Sequence, residues 1–335
     1  MKSSIRIGKE VDINILKGLT YDHFNSQNRA QRIIAKTFSK FKGIATKKCI
    51  ICNSKLIHSK VKILQIEFLN CKKCNHVFRK YYYNKDSLKN FFENDNLLNV
   101  HSHKNQENYR SKYLSQPKVN QVLKFIKNKK IQWLDLGCGN GEFLSQVKKY
   151  GCIPYGFDLN EEDIKKCKKK KIYALKSDLF SFYNYANKRK LKFDVVSATG
   201  YFDMVNDPMK ELSIVSRMMN KNSLIMVDLP NFESITHDTI RAFPEKSIRH
   251  LNACQRSSFT FKSLQLFLKK NSFKIIFQWK YGLDIYMLLN IFAQNNKNFY
   301  TSRICRLFEK RFNDFQKIID EENFADTLFV IAKKL

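Results

Sequence analysis

The segment Leu134-Asp135-Leu136-Gly137-Cys138-Gly139-Asn140-Gly141-Glu142-Phe143-Leu144 carries the sharpest chemical pattern in the chain. Three glycines at alternate positions permit a tight turn and a close approach of backbone to ligand, because a Cβ there would clash or forbid the backbone angle. The dinucleotide fingerprint G-x-G-x-x-G sets its third glycine one position later and places a pyrophosphate on a helix amino terminus. Here the third glycine comes early, and Glu142 puts a negative charge in the first helical turn. A ligand without phosphates fits this turn better. Seventeen residues beyond Gly141, Asp158-Leu159 ends the segment CIPYGFD, where a carboxylate can accept both hydroxyls of a ribose. Asp178-Leu179 ends the next apolar segment, where the carboxylate is placed to accept from an adenine amino group. With Asp135, these positions specify a nucleoside lying across the ends of successive strands. Any one of the aspartates alone would read as a helix or turn cap.

A second constellation lies upstream. Cys49-Ile-Ile-Cys52 and Cys71-Lys-Lys-Cys74 are two CxxC pairs separated by 18 residues. Four thiolates at this spacing can close around one tetrahedral Zn²⁺, leaving no open position, so the metal is structural. Lys72 and Lys73 favour the thiolate forms. The remaining cysteines are scattered, and the total of nine is odd. That usage suits a reducing compartment and a cytoplasmic location. No apolar run is long enough to span a membrane, and residues 1–19 lack the pattern of a secretory signal.

The elements that must position these residues follow from periodicity. From residue 131 onward, apolar runs alternate with stretches at helical spacing: IQWLDLG, CIPYGFD, KIYALKSD, KFDVVSATG, SLIMVDLP, FKIIFQW and TLFVIAKK. Seven such strands, most separated by ten or more residues, predict a doubly wound α/β sheet. The expected organisation is a basic, loosely helical lead-in over 1–48, a zinc ribbon over 49–83 and a connecting segment over 84–116. The main domain then runs over 117–335, with a helical insertion at about 285–320.

The formal charge is +31, from 61 Lys+Arg against 30 Asp+Glu. Residues 1–130 carry +20 of it and the remaining 205 residues +11. A positive front end attracts an anionic partner, a phosphate-bearing small molecule or a nucleic acid, while a solvated lysine surface accounts for the same numbers.

LDLGCGNGEFL, GFDLN, SDLF and FDVVSATGYFDMVNDP resemble successive motifs of the class I S-adenosylmethionine-dependent methyltransferases, from about residue 117 to the end of the chain. The resemblance implies a Rossmann-like seven-stranded methyltransferase sheet whose last strand, TLFVIAKK, is antiparallel, preceded by a small zinc-ribbon module. It also implies that Asp135, Gly137, Cys138, Gly139 and Gly141 border the methionine moiety and that Asp158 and Leu159 hold the ribose. Asp178 and Leu179 would border the adenine, with Thr199 at the end of the fourth strand. A CxxC…CxxC-N-H-V-F ribbon ahead of such a domain is similar to a bacterial subgroup tied to nucleotide-sugar and surface-polysaccharide methylation.

A hydroxyl or carbon acceptor must also lose a proton to a histidine or carboxylate. The candidates are His250, whose place resembles the subgroup's histidine, then Tyr201 and Asp203, with His237 and Glu233 behind them. Relatives often read Glu-His after the fourth strand. This chain reads Asp203-Met204, so the acid is kept and the imidazole is not. Two further readings fit parts of the pattern. One is an RNA methyltransferase using the ribbon and basic front end to bind RNA, although the Asn/Asp-Pro-Pro-aromatic signature of base-amine methylation is missing. The other is an interaction protein that keeps the fold without turnover.

Overall fold

The computed structural model describes residues 3–12, 29–36, 43–64, 66–82, 110–126, 130–243, 251 and 253–335. Its main sheet has eight strands, one more than the periodicity predicts. The extra strand is β1, Ser4–Ile7, which pairs in parallel with the edge of the sheet. It escapes a sequence reading because it is only four residues long and all four are exposed, so no alternation marks it.

Three groups of strands precede the main domain's core: β2 (Ile44–Ala45), the hairpin β3 (Ile57–Ile63) and β4 (Ile66–Cys71), and then β5 (Val77–Arg79) and β6 (Tyr81–Tyr82). The central strands are β7 (Gln132–Leu136), β8 (Ile153–Asp158), β9 (Tyr173–Lys176), β10 (Phe193–Thr199) and β11 (Met219–Pro230). After the short β12 (Ser257–Ser258) come β13 (Phe273–Tyr281) and β14 (Thr327–Lys334). The order across the sheet is β1-β13-β14-β11-β10-β7-β8-β9. Every neighbouring pair is parallel except those made by β14, which runs antiparallel to both β11 and β13. The order reverses between β7 and β10, and the crevice at such a switch point, outside the carboxyl ends of the strands, is where open α/β sheets bind ligands.

Helices cover both faces. On one lie α1 (Gln116–Leu123), α2 (Glu142–Lys149) and α3 (Glu161–Lys169). They bury Val119, Val147 and Ile164 with Trp133 and Phe329 of the sheet. On the other lie α4 (Leu179–Lys188), α5 (Pro208–Arg217) and, after α6 (Ile235–Ala242), α7 (Phe261–Lys270). Phe182, Leu212 and Phe267 from these helices pack against Val196 and Ile225. Caps set where several of the helices begin. Asn160 accepts from Asp163 N at 3.1 Å, and three acids in the first turn of α3 with three lysines in its last turn complement the helix dipole. The Asp207-Pro208 pair starts α5, with Asp207 as cap and Pro208 at the first turn. Thr260 and Ser263 form a capping box on α7.

Between β13 and β14 the chain makes α8 (Asp284–Asn295), α9 (Arg303–Lys310) and α10 (Phe312–Glu321), which share a small core with Val11. The cysteine-bearing strands form a second sheet in the order β12-β5-β4-β3, so a strand from residues 257–258 completes it. Among the described residues no helix is long and apolar enough to cross a membrane.

Candidate active site and cysteine cluster

The glycine turn runs from the end of β7 into α2. Gly137, Gly139 and Gly141 all take positive φ, at 64°, 50° and 75°, a region that other residues enter at a cost. Their surroundings differ. A Cβ on Gly141 would lie 2.8 Å from Cys167 Sγ, and one on Gly137 would lie 3.2 Å from the Tyr201 ring. A Cβ on Gly139 would meet nothing within 4 Å, so this glycine presents an open backbone face. The first amide of α2, Glu142 N, donates to Asn140 Oδ1 at 3.0 Å.

Asp158 holds the turn from the neighbouring strand. Its Oδ2 accepts from Gly139 N and its Oδ1 from Asn160 N, each at 2.9 Å. Burial raises its pKa, and those backbone donors work against the rise. Leu159 beside it is half-buried. Asp178 follows β9 and caps α4, with Oδ1 accepting from Ser181 N at 2.8 Å, while Leu179 is buried in the core. Cys138 is buried against Gly156 of β8, where any Cβ would come within 2.7 Å of it.

Asp135 lies at the end of β7, 5% exposed, and accepts from Ser197 Oγ at 2.6 Å. Burial pushes its carboxyl up to about 7, against the pull of the Ser197 hydrogen bond. Thr199 ends β10 exposed to solvent and pairs in the ladder with Asp228 of β11. The glycine turn, Asp135, Asp158, Asp178 and Thr199 therefore line one edge of the sheet, the carboxyl ends of its parallel strands.

The candidates for proton transfer separate. Tyr201 closes over Gly137, and its hydroxyl donates to Glu211 Oε2 at 2.6 Å. Burial, together with the Glu211 carboxylate, holds the phenol well above its ordinary value, which suits a wall of the site. Asp203 is 2% exposed, and Oδ2 accepts from Gln255 Nε2 at 2.8 Å. Its Oδ1 has no hydrogen-bond partner among the described residues. Burial pushes this carboxyl up to about 6, with Asp228 adding to the rise. His237 is buried with its ring 4.0 Å from that of Phe232. Glu233 accepts from the Asn75 side chain at the surface. His250 lies outside the described residues.

Lys118, Asp228 and Gln255 escaped the sequence reading. Lys118 of α1 forms an ion pair with Asp228, to which Tyr281 Oη also donates at 3.4 Å. Asp228 could have been found as a fourth strand-end acid, in VDLP. Nothing in the sequence marks Lys118 or Gln255.

The four cysteines converge at a second location. The Sγ atoms of Cys49, Cys52, Cys71 and Cys74 lie within 4.8 Å of one another, with Cys49–Cys74 at 3.6 Å and Cys52–Cys71 at 3.5 Å. Bonds of about 2.3 Å to a tetrahedral zinc place sulfurs about 3.8 Å apart, so this donor set fits the ion. Each CxxC is followed by an asparagine in left-handed conformation, Asn53 at φ 62° and Asn75 at φ 59°. Their amides return to the first cysteine of each pair, Asn53 N to Cys49 O and Asn75 N to Cys71 O, both at 2.9 Å. Two equivalent knuckles face each other.

A family model described as a methyltransferase domain matches residues 106–278. No curated protein matches the chain. Similar solved structures include a SAM-dependent methyltransferase from Archaeoglobus fulgidus, 19% identical, covering 70% of this chain and 100% of that one with a TM-score of 0.46. Another is the magnesium protoporphyrin IX methyltransferase of Synechocystis with bound SAH, 12% identical, covering 75% and 100%, with a TM-score of 0.46. A possible histamine N-methyltransferase from Thermotoga maritima is 21% identical and covers 52% and 77%, with a TM-score of 0.40. The family match spans just over half of the chain and contains the glycine turn, Asp158, Asp178 and Asp203. The chain belongs to the methyltransferase-domain family.

Proposed function

We propose that the protein moves a methyl group from S-adenosylmethionine to an oxygen or carbon of a small anionic acceptor, a nucleotide sugar or surface-glycan precursor. The observation that carries the cofactor assignment is the turn at 137–141, open at Gly139 and pinned by Asp158. A backbone face free of any Cβ and a line of strand-end carboxylates fit a phosphate-free nucleoside with a cationic tail. The acceptor class rests on the net charge of +31 and on the CxxC module ahead of the domain.

When bound, the cofactor supplies a methyl group on a sulfonium, activated for in-line displacement. The residues of the chain do the rest. The glycine turn orients the amino-acid end, Asp158 and Asp178 accept from ribose and base, and Tyr201 walls the site off from water. Positioning of this kind accounts for much of the acceleration in a displacement. Asp203 takes the acceptor's proton on Oδ1, while Gln255 holds Oδ2. A carboxyl pushed up to about 6 is a stronger base than an ordinary one and still ionised at neutral pH. His250 is the second candidate for that proton. Cys49, Cys52, Cys71 and Cys74 hold a structural Zn²⁺ as a closed set of four thiolates. The protein works in the cytoplasm, where its cysteines stay reduced.

Incubation with methyl-labelled S-adenosylmethionine and a panel of nucleotide sugars, with total RNA in parallel, tests the reading. Label should enter a nucleotide sugar. Label in RNA alone would replace this acceptor class by nucleic acid, and no label in either would leave a binding protein. Asp203→Asn should lower turnover on the order of 10²–10⁴-fold at unchanged cofactor affinity.

A further inference from the structure

The stretch that holds Asp203 is the same stretch that completes the cysteine sheet. Gln255, Arg256, Ser257 and Ser258 are all buried. On one side, Arg256 N and Ser257 N both donate to the Asp203 carbonyl, at 2.7 and 3.0 Å, and Gln255 Nε2 holds the carboxylate. On the other side, Ser257 and Ser258 pair with Phe78 and Val77 of β5. Arg79 N donates to Arg256 O at 3.0 Å, and Arg256 Nη1 returns the bond to Arg79 O at 2.8 Å. Strand β5 starts three residues after Cys74. The turn between them is tied down by Cys71 N donating to His76 O at 3.0 Å, and Thr260 Oγ1 reaches Cys74 O at 3.4 Å. One strand spacing, about 4.8 Å, separates β5 from the segment that grips Asp203.

We infer that the cysteine module is a positioning element for Asp203: the metal-held knuckles fix β5, β5 fixes residues 255–258, and these set the Asp203 carboxylate. The inference rests on reading Asp203 as the base. Its physical ground is accounting for buried polar groups. Two backbone amides and one side-chain amide converge on Asp203, and each stays directed only while β12 stays in its ladder, because buried donors must keep partners. Strand β5 is packed through Phe78 into the main core and through Val77 against Phe232, and the thiolate–metal bonds fix the turn that leads into it. Among the described residues, the groups facing Asp203 are Gln255 from this segment and Asp228 from β11. The Arg256 guanidinium turns away, to Arg79 O and Thr46 Oγ1. Loosening β12 lets water reach Asp203 and releases its carboxyl toward the ordinary value of about 3.9.

The test is carboxyl ¹³C NMR of the full chain with labelled aspartate, using Asp203→Asn to identify the resonance. In the zinc-loaded protein Asp203 should titrate near 6. After the metal is removed with a chelator, or in Cys71→Ser, it should fall by about two pH units toward the ordinary value, while affinity for S-adenosylhomocysteine changes less than about threefold. Gln255→Leu in the zinc-loaded protein should move the titration upward, since a hydrogen bond to the charged form is lost. An Asp203 titration indifferent to metal overturns the inference. So does a loss of S-adenosylhomocysteine affinity in parallel with the metal, because the module would then be supporting the whole domain. Failure of the zinc-loaded protein to bind S-adenosylhomocysteine would instead count against the methyltransferase reading, and the titration would still decide the positioning role.

Discussion

Asp158 illustrates how a residue can be found in a sequence for one reason and prove to have a second. Its place at a strand end marks it as a candidate ribose ligand. The structure adds that its carboxylate holds Asn160 N, two residues on, and Gly139 N, 19 residues back, a contact that no local pattern encodes. Asp158→Ala should therefore abolish cofactor binding in calorimetry and also loosen the turn. Two part-buried amides would lose their acceptor, at about 1 kcal/mol each. Asp178 was legible both as a strand-end acid and as a helix cap, and it is the cap that the hydrogen bond to Ser181 N displays. Gly139 gives a cleaner separation of strain from contact. Gly139→Ala carries a methyl onto the open face at φ 50° and should weaken S-adenosylmethionine binding at least about tenfold. The control is Gly151→Ala, which meets the same empty surroundings at φ 78°. Each should cost about 1–2 kcal/mol in stability for the left-handed backbone, and only the first should lose affinity. Gln255 had no signal, because a single glutamine between buried segments looks like any loop residue.

At the scale of elements, the seven strands that the apolar runs marked are present, since a strand buried on both faces needs a continuous apolar run. Strands β1 and β12 were not legible. The first has all four residues exposed, and the second is the dipeptide Ser257-Ser258, which acquires strand character only through β5. Helix–strand fit has its own sequence trace in Gly156 of β8. A Cβ there would lie 2.7 Å from Cys138 Cβ and 2.9 Å from Leu144 Cδ1, with no positive φ to explain the glycine. Gly156 exists for the approach of the glycine turn and α2 to β8. Gly156→Ala should overpack this contact and lower stability by about 1–3 kcal/mol, read as a shift of the urea midpoint at unchanged slope.

Across the whole molecule, several acids are buried and held in their neutral range. Burial pushes Asp284 up to about 6 and Asp320 up to about 8 where the helical insertion meets the end of β13. An unfolded aspartate releases its proton near 3.9, whereas these keep theirs. The folded chain then binds more protons than the unfolded one, and stability falls as pH rises from about 4 through about 8. Urea midpoints should decline across that window, and Asp320→Asn should flatten the decline at its upper end. The charge of +31 was fully legible, but which of its lysines face an acceptor was not, because charge counts carry no direction. The edge strand β1 has one more consequence. Ser4 pairs with Phe277 and Ile7 with Lys280, so during synthesis β1 must wait about 270 residues for its ladder. At about 5–20 residues per second that delay is on the order of tens of seconds, with Ile5 and Ile7 uncovered meanwhile. The thiol knuckles, separated by 18 residues, would capture a metal ion long before, so β1 is seated well after them.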